Sequence, residues 1–225
     1  MMRTTGKVGL GLVVMLSLLA LVGCRSAAGG KSFGQKMVLW NGKDLTGWTR
    51  VVQDPSVDVN DVWRIRDGVL WCAGKPNGYL RTQQSYTDYC LHVEWRWPET
   101  PANSGVFLHA GGGDRVWPVC IECQLKAGSA GDFVLMNGAA LTVDGTERRN
   151  PAQQFVAIKK KNPSSEKPAG QWNSYDIECQ GGSVRCRVNG ILQNEGTNAS
   201  PSSGLICLQS EGGPIEFRNV YLWTK

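Results

Sequence analysis

Apolar residues almost nowhere recur at the spacing of an amphipathic helix, which sets aside helical bundles and α/β architectures. No glycine-rich phosphate loop, dinucleotide fingerprint or linear metal-ligand spacing occurs, so the chain carries no motif for nucleotide chemistry. Histidine is scarce, with His92 and His109 the two present. Few side chains therefore titrate near neutral pH. A strong charge of one sign is also lacking. The formal net charge is +5, and removing residues 1–23, which hold Arg3 and Lys7 and no acidic residue, lowers it to +3. That balance is too mild to indicate a nucleic acid partner. The basic run Lys159-Lys160-Lys161 leads into Asn162-Pro163-Ser164-Ser165 and reads as a solvated loop. There is no internal repeat and no composition break that would divide the chain into two domains.

One long apolar run occurs, at residues 8–20, behind the positive charges of Arg3 and Lys7. It is too short and wrongly placed for a spanning helix. Leu21-Val22-Gly23-Cys24 follows, so residues 1–23 read as a secretory signal. The segment resembles a bacterial lipobox, which implies cleavage before Cys24 and lipid attachment there. An ordinary signal peptide with a chance cysteine is the plain alternative. The lipobox reading expects a protein held in the bacterial cell envelope, with the membrane as partner through its N-terminal lipid, since several acyl chains anchor durably. Residues 24–36 are small, polar and glycine-containing and read as a flexible tether. Residues 37–225 then suit one all-β domain.

Seven cysteines remain beyond Cys24: Cys72, Cys90, Cys120, Cys123, Cys179, Cys186 and Cys207. An odd number cannot all pair within the chain, and most sit on apolar strand faces, where cysteine acts as a small hydrophobe. Cys120 and Cys123 lie three apart, so in a strand they point to opposite faces and cannot bind one ion. Buried thiols are the expectation.

The remaining signal is strands and turns. Asp67-Gly68 supplies the positive φ values of a type I′ hairpin, pairing Arg66 with Val69 and Ile65 with Leu70. Gly181-Gly182 does the same for 175–180 and 183–188. There Cys179 meets Val184, Ile177 meets Cys186 and Tyr175 meets Val188 on one apolar face. Glu178 then meets Arg185, and Asp176 meets Arg187, expected as two cross-strand ion pairs. In 91–97, Leu91, Val93, Trp95 and Trp97 form the core side, with His92, Glu94 and Arg96 on the surface side. In 104–109, Val106 and Leu108 face away from Phe107 and His109. About a dozen short strands emerge, too many for one open sheet and suited to two packed ones.

Two strands carry an acid beside an amide. In the last strand pair, 203–222, Gln209 and Glu211 share one face and Ile206 and Leu208 the other, with Gly212-Gly213-Pro214 as the turn. In 119–125, Glu122 and Gln124 lie opposite Val119, Ile121, Cys123 and Leu125. If the two strands face one another, a carboxylate-and-amide cluster suited to sugar hydroxyls results.

Several segments in order resemble one family. They are Leu39-Trp40-Asn41-Gly42-Lys43-Asp44-Leu45-Thr46-Gly47-Trp48, Asn103-Ser104-Gly105-Val106-Phe107-Leu108-His109, Trp117-Pro118-Val119-Cys120-Ile121-Glu122-Cys123-Gln124-Leu125, Gly131-Asp132-Phe133, Trp172-Asn173-Ser174-Tyr175 and Leu208-Gln209-Ser210-Glu211-Gly212-Gly213-Pro214. The chain resembles the 3-keto-disaccharide hydrolase domain family over residues 38–225. The resemblance implies a concanavalin A-like jelly-roll sandwich of two antiparallel sheets, similar in architecture to lectins and retaining β-glucanases. Many members carry Asp-His where this chain has Ser210-Glu211.

That resemblance implies cleavage of a 3-keto-glycoside, whose carbonyl acidifies the proton on C2. A base removes that proton, the substituent at C1 leaves, and water adds to the unsaturated ketone. The reaction needs a base, an acid at the leaving oxygen and a donor for the enolate. Glu122 and Glu211 are the base and acid candidates, in either order, and His109 the enolate stabiliser. Gln124, Gln209, Asn103 and Asp132 suit hydroxyl recognition, Trp117 a stacking surface, and Arg218 a partner for Glu216 or for an active-site carboxylate. The sequence requires no cofactor, although strand carboxylates and carbonyls can converge on a divalent cation without a linear motif. Direct hydrolysis of an unmodified glycoside is disfavoured, because Gln124 stands at the alternate position where the β-glucanases place a second acid. A lectin-like carbohydrate-binding module without catalysis is the alternative from another class.

Overall fold

The computed structural model describes residues 34–224. The expected signal, Cys24 and most of the tether lie outside the described residues. The last residues assigned to the tether are already docked: the Gly34 amide donates to Thr224 (2.7 Å) and the Thr224 amide to Gln35 (3.0 Å).

Seventeen strands and one helical turn follow in order. They begin with β1 (Lys36–Val38), β2 (Trp48–Val52), α1 (Val59–Val62), β3 (Trp63–Arg66), β4 (Val69–Cys72), β5 (Gly78–Thr82) and β6 (Tyr89–Arg96). Next come β7 (Gly105–Gly111), β8 (Val119–Gln124), β9 (Phe133–Met136), β10 (Ala140–Val143), β11 (Thr146–Arg148) and β12 (Phe155–Ile158). The chain closes with β13 (Asn173–Gln180), β14 (Ser183–Val188), β15 (Ile191–Ser200), β16 (Leu205–Ser210) and β17 (Ile215–Thr224). One sheet runs β11-β10-β15-β14-β13-β6-β17-β4-β3, with β1 added to β17. The other runs β12-β9-β8-β7-β16-β5-β2. All pairings are antiparallel. This is the two-sheet sandwich expected from the strand pattern.

Alternation decides which residues fill the space between the sheets. Leu91, Val93 and Trp95 of β6, with Trp97 just beyond it, pack against Val106, Leu108, Ile121, Cys123 and Leu208 of the other sheet. Cys120 faces away from Cys123, into a second apolar cluster with Tyr79, Phe107 and Cys207. Six of the seven cysteines are buried free thiols. Cys90 is buried as well.

Both hairpin registers hold. Arg66 pairs with Val69 across Asp67 (φ 51°) and Gly68 (φ 72°), and Tyr175 pairs with Val188 through to Cys179 with Val184. The side chains on the charged face do not follow their directly opposed partners. Asp176 turns to His92 Nδ1 (2.7 Å), and Arg185 turns to Glu195 (3.0 Å). Each charge has a neighbouring strand on both sides, and the second neighbour offers the closer partner. His92 and Glu94 are thereby tied into a network instead of standing free at the surface. The final two strands also differ from expectation. β16 and β17 are not paired, because Gly212-Gly213-Pro214 carries the chain from one sheet to the other. A close approach forces small residues there: a Cβ on Gly74 would lie 2.1 Å from the Gly213 carbonyl oxygen.

Trp95 is fully buried, with its ring 5.7 Å from that of Trp97, edge to face. Trp95→Ala is expected to lower stability by about 3–5 kcal/mol, seen as a lower denaturant midpoint with an unchanged slope.

Candidate active site

The register of three neighbouring strands assembles the site. Phe107 of β7 lies opposite Glu122 of β8, and Gly105 lies opposite Gln124. On its other side β7 pairs Phe107 with Cys207 and Val106 with Leu208. The same register continued sets Gly105 beside Gln209, and an isolated bridge joins Asn103 to Glu211. Glu122, Gln124, Gln209 and Glu211 thus project from one face of the seven-stranded sheet, the face turned away from the inter-sheet core. Glu122 and Glu211 start at different levels along the strands, yet their side chains lean toward one another. A Cβ on Gly105 would lie 2.0 Å from Glu122 Oε1, so the carboxyl of Glu122 rests over the bare backbone of residue 105. From the other end, Glu211 Oε2 accepts a hydrogen bond from Gln209 Nε2 at 2.9 Å.

The two carboxyls sit in different surroundings. Glu122 is 2% exposed and flanked across the strands by Phe107 and Val134. Burial, and secondarily the charge of Glu211, pushes its carboxyl well above the usual range. Glu211 is only partly buried. Burial raises it as well, but the Gln209 amide and the Lys126 ammonium work the other way and favour its ionised form. Glu122 is therefore held as the neutral acid and Glu211 is the more readily ionised of the pair. Glu122 Oε1, Gln209 Oε1 and Asn103 Oδ1 are buried acceptors with no hydrogen-bond partner among the described residues. Gln124 turns its side-chain oxygen to the Leu125 and Lys126 amides (both 2.8 Å), leaving its Nε2 as a donor.

Three expected site residues are placed elsewhere. His109 sits on a bulge where the β7–β8 register shifts between Leu108 and Gly111, and its φ is 55°. This departure from alternation turns the ring inward, edge to face with Tyr89 at 5.6 Å. Its Nδ1 donates to the Pro201 carbonyl (3.2 Å), and burial lowers its pKa. It does not join the carboxyls. Asp132 accepts from Lys159 Nζ and from the Lys160 amide (both 2.9 Å), so it ties down the chain after β12. Arg218 lies on the ten-stranded sheet, where its Nε donates to Glu94 (2.6 Å), while Glu216 pairs with Arg96 (2.5 Å). Trp117 lies at the margin of the site face, 5.5 Å from Phe155 edge to face, and packs on the Phe107 cluster. No group of three or more His, Cys, Asp or Glu among the described residues is arranged to hold a metal ion.

Two contributors were missed. Gly105 carries no chemistry, and only the three-dimensional neighbour reveals why its missing side chain matters. Lys126, two residues past Gln124, follows the strand end, where alternation no longer assigns a face.

Residues 35–222 match the family model of the 3-keto-alpha-glucoside-1,2-lyase-like domain. Among solved structures, a candidate glycosyl hydrolase from Parabacteroides distasonis is similar at 21% identity, with 84% of this chain and 94% of that chain covered and a TM-score of 0.61. A β-glucanase from Bacillus licheniformis is similar at 14% identity over 85% of this chain and 99% of that one, TM-score 0.55. The carbohydrate-binding module CBM66 from Bacillus subtilis is similar at 10% identity over 79% and 96%, TM-score 0.55. These likenesses show the jelly-roll fold. No protein of curated function matches the chain.

The raised pKa of Glu122 predicts a pH signature in stability. The folded chain binds this proton more tightly than the unfolded chain, whose carboxyl titrates near 4.5. The resulting stabilisation is complete below that value and is lost as pH rises toward the folded pKa. Glu122→Gln removes the titration. Its melting temperature is expected to gain on the parent as pH rises from 4 to 8, by a few degrees, measured by calorimetry across that range. Gly105→Ala is expected to displace the Glu122 carboxyl while sparing the fold, because the side chain's far end is what it strikes. In a double-mutant cycle with Glu122→Ala, the coupling is expected to reach about 1 kcal/mol.

Proposed function

As the chain belongs to the 3-keto-alpha-glucoside-1,2-lyase-like family, we propose that it cleaves a 3-keto-glycoside by elimination across C1 and C2, with Glu211 as base and Glu122 as acid. The observation that carries this reading is the pair of unequal carboxyls converging over Gly105 and Gln209. Glu211 removes the proton from C2, and the electron pair passes into the C2–C3 enolate, whose charge rests on the ketone oxygen. Collapse of the enolate forms the C1–C2 double bond and breaks the bond from C1 to the leaving oxygen, which takes the Glu122 proton. Water added to the resulting enone completes a net hydrolysis. With His109 turned into the interior, the enolate donors are sought at Asn103 and in the field of Lys126. Gln124 Nε2 and the free acceptors of Gln209 and Asn103 suit sugar hydroxyls.

The shielding of Glu122 favours one competing reading, a lectin-like module on the same face, in which the carboxyl is a buried structural acid. The two readings part on one substitution. Glu122→Gln should lower kcat on a 3-keto-disaccharide by 10²–10⁴-fold, the usual size of an acid–base contribution, with sugar binding retained. Unchanged turnover, or no turnover by the parent chain, would leave the binding module. Lipid attachment at Cys24 and an envelope location stay with this proposal on the strength of the leader sequence alone.

The pH profile follows from the two environments. The base must be ionised, so activity rises as pH climbs through the Glu211 pKa; the acid must be protonated, so activity falls as pH climbs through that of Glu122. Both are raised from 4.5, so a bell displaced above the ordinary glutamate range is expected, with limbs that belong to the coupled pair. Rate measurements from pH 4 to 9 check it; a flat profile would remove the acid–base assignment.

A further inference from the structure

The outer face of the ten-stranded sheet carries a group of side chains that the site does not use. Trp71, Tyr221 and Trp223 are half-buried there, and each has a cation over its ring. Arg66 lies 4.0 Å from the Trp71 centroid, and the Lys36 ammonium lies 3.7 Å from that of Tyr221 and 5.8 Å from that of Trp223. Alternation puts these residues on one side. Lys36 pairs with Trp223 and Val38 with Tyr221, while Arg64 of β3 lies opposite Trp71 and Arg66 follows two residues later. Val38 is 62% exposed. The charges of this region are unevenly matched. Arg64, Arg96 and Arg218 bind the carboxylates of Asp61, Glu216 and Glu94. Lys36 and Arg66 have no carboxylate partner among the described residues, so each holds an open positive charge over an aromatic ring. A hollow of about 290 Å³ opens on this face, lined by Lys36, Tyr221, Arg218, Asn219 and Gly68.

Amphipathic rings carrying cations suit the headgroup layer of a bilayer, where tryptophan and tyrosine settle at the boundary and lysine and arginine meet anionic lipid. Where the chain leads decides what covers the face. The Gly34 amide binds Thr224 at the end of β17, so the chain enters the sandwich beside Lys36 and Trp223. Residues 24–33 reach about 35 Å when fully extended, so a lipid on Cys24 keeps this edge of the sheet close to the bilayer. Contacts too weak to recruit a free chain suffice to orient one that is already held. The carboxyls of the candidate site belong to the other sheet and project from its far side. We propose that the end of the ten-stranded sheet around Lys36, Tyr221 and Trp223 rests on an anionic lipid surface, with Lys36 and Arg66 on the headgroup phosphates and the candidate active site turned away from the bilayer. This inference rests on the lipid reading of the leader for how the chain reaches the membrane, and not on the elimination chemistry.

The test couples the chain from residue 24 onward, which holds the whole sandwich, through Cys24 to a maleimide headgroup in vesicles. The seven other cysteines are buried, so this thiol reacts whether or not the native chain is lipidated. The vesicles contain lipids brominated high on their acyl chains, which quench tryptophan fluorescence on contact. Quenching is expected to be at least twofold stronger in phosphatidylglycerol than in phosphatidylcholine. Lys36→Glu combined with Arg66→Glu should halve it, and Trp71→Phe combined with Trp223→Phe should remove most of it. Arg115→Glu, an exposed reversal on the seven-stranded side, should leave it unchanged. If the paired reversals cost the fold, Lys36→Gln with Arg66→Gln carries the same comparison. Equal quenching in the two lipids, no loss in the Lys36 and Arg66 variants, or an equal loss in Arg115→Glu overturns the proposal. The mass of the native chain reports separately on lipid: no acyl mass at Cys24 strikes the lipid reading, while the coupled chain still judges the face.

Discussion

A carboxyl occupies the volume that a side chain at residue 105 would fill, and the whole site depends on that exchange. Glu122 begins between Phe107 and Val134, surroundings that cannot solvate an anion. Two residues along β7, Gly105 leaves a gap next to Gln209. The side chain crosses that gap and arrives beside the amide that Glu211 reaches from the opposite end. Any larger residue at 105 would hold the acid back among the apolar rings. A single missing methyl group therefore converts two distant strand positions into one cluster.

Burying such a group selects its protonation state. An ionised Glu122 would have to be stabilised against desolvation and against Glu211 at once, so the neutral form prevails. Glu211, at the more exposed end of the cluster, has the Gln209 amide and the Lys126 ammonium to favour its charge. Identical side chains thus acquire different protonation preferences from their depth and their polar neighbours.

What the sequence made legible was whatever depends on alternation. The hairpins at Asp67-Gly68 and Gly181-Gly182 were readable to the residue, since a one-residue slip would have turned every core side chain outward. The faces of Glu122, Gln124, Gln209 and Glu211 followed by the same rule. His109 did not, because a bulge at a positive-φ position breaks alternation, and nothing in Leu108-His109-Ala110 announces it. Arg218 was misassigned for a different reason. Its face on β17 is readable, but not that β17 leaves its chain neighbour β16 for the other sheet. Ion-pair choice was equally hidden: each charge on an inner strand has two flanking strands, and Asp176 and Arg185 both took the partner on the far side. The mostly polar strand β15 and the small hairpin of β10 and β11 escaped notice because little apolar periodicity marks them.

The two outer faces of the sandwich differ in a way that locates function without reference to relatives. On the ten-stranded sheet the charges close upon themselves: Arg96 with Glu216, Arg218 with Glu94, His92 with Asp176, and the Trp172 ring between the guanidinium groups of Arg96 (4.6 Å) and Arg218 (4.1 Å). These groups spend their polar capacity on the cohesion of the sheet. On the seven-stranded sheet the acceptors of Glu122, Gln209 and Asn103 find no partner among the described residues. Leaving buried acceptors unpaired costs about 1–3 kcal/mol each. Acceptors left open at that cost are free to receive hydroxyl donors, which is what a sugar ring supplies.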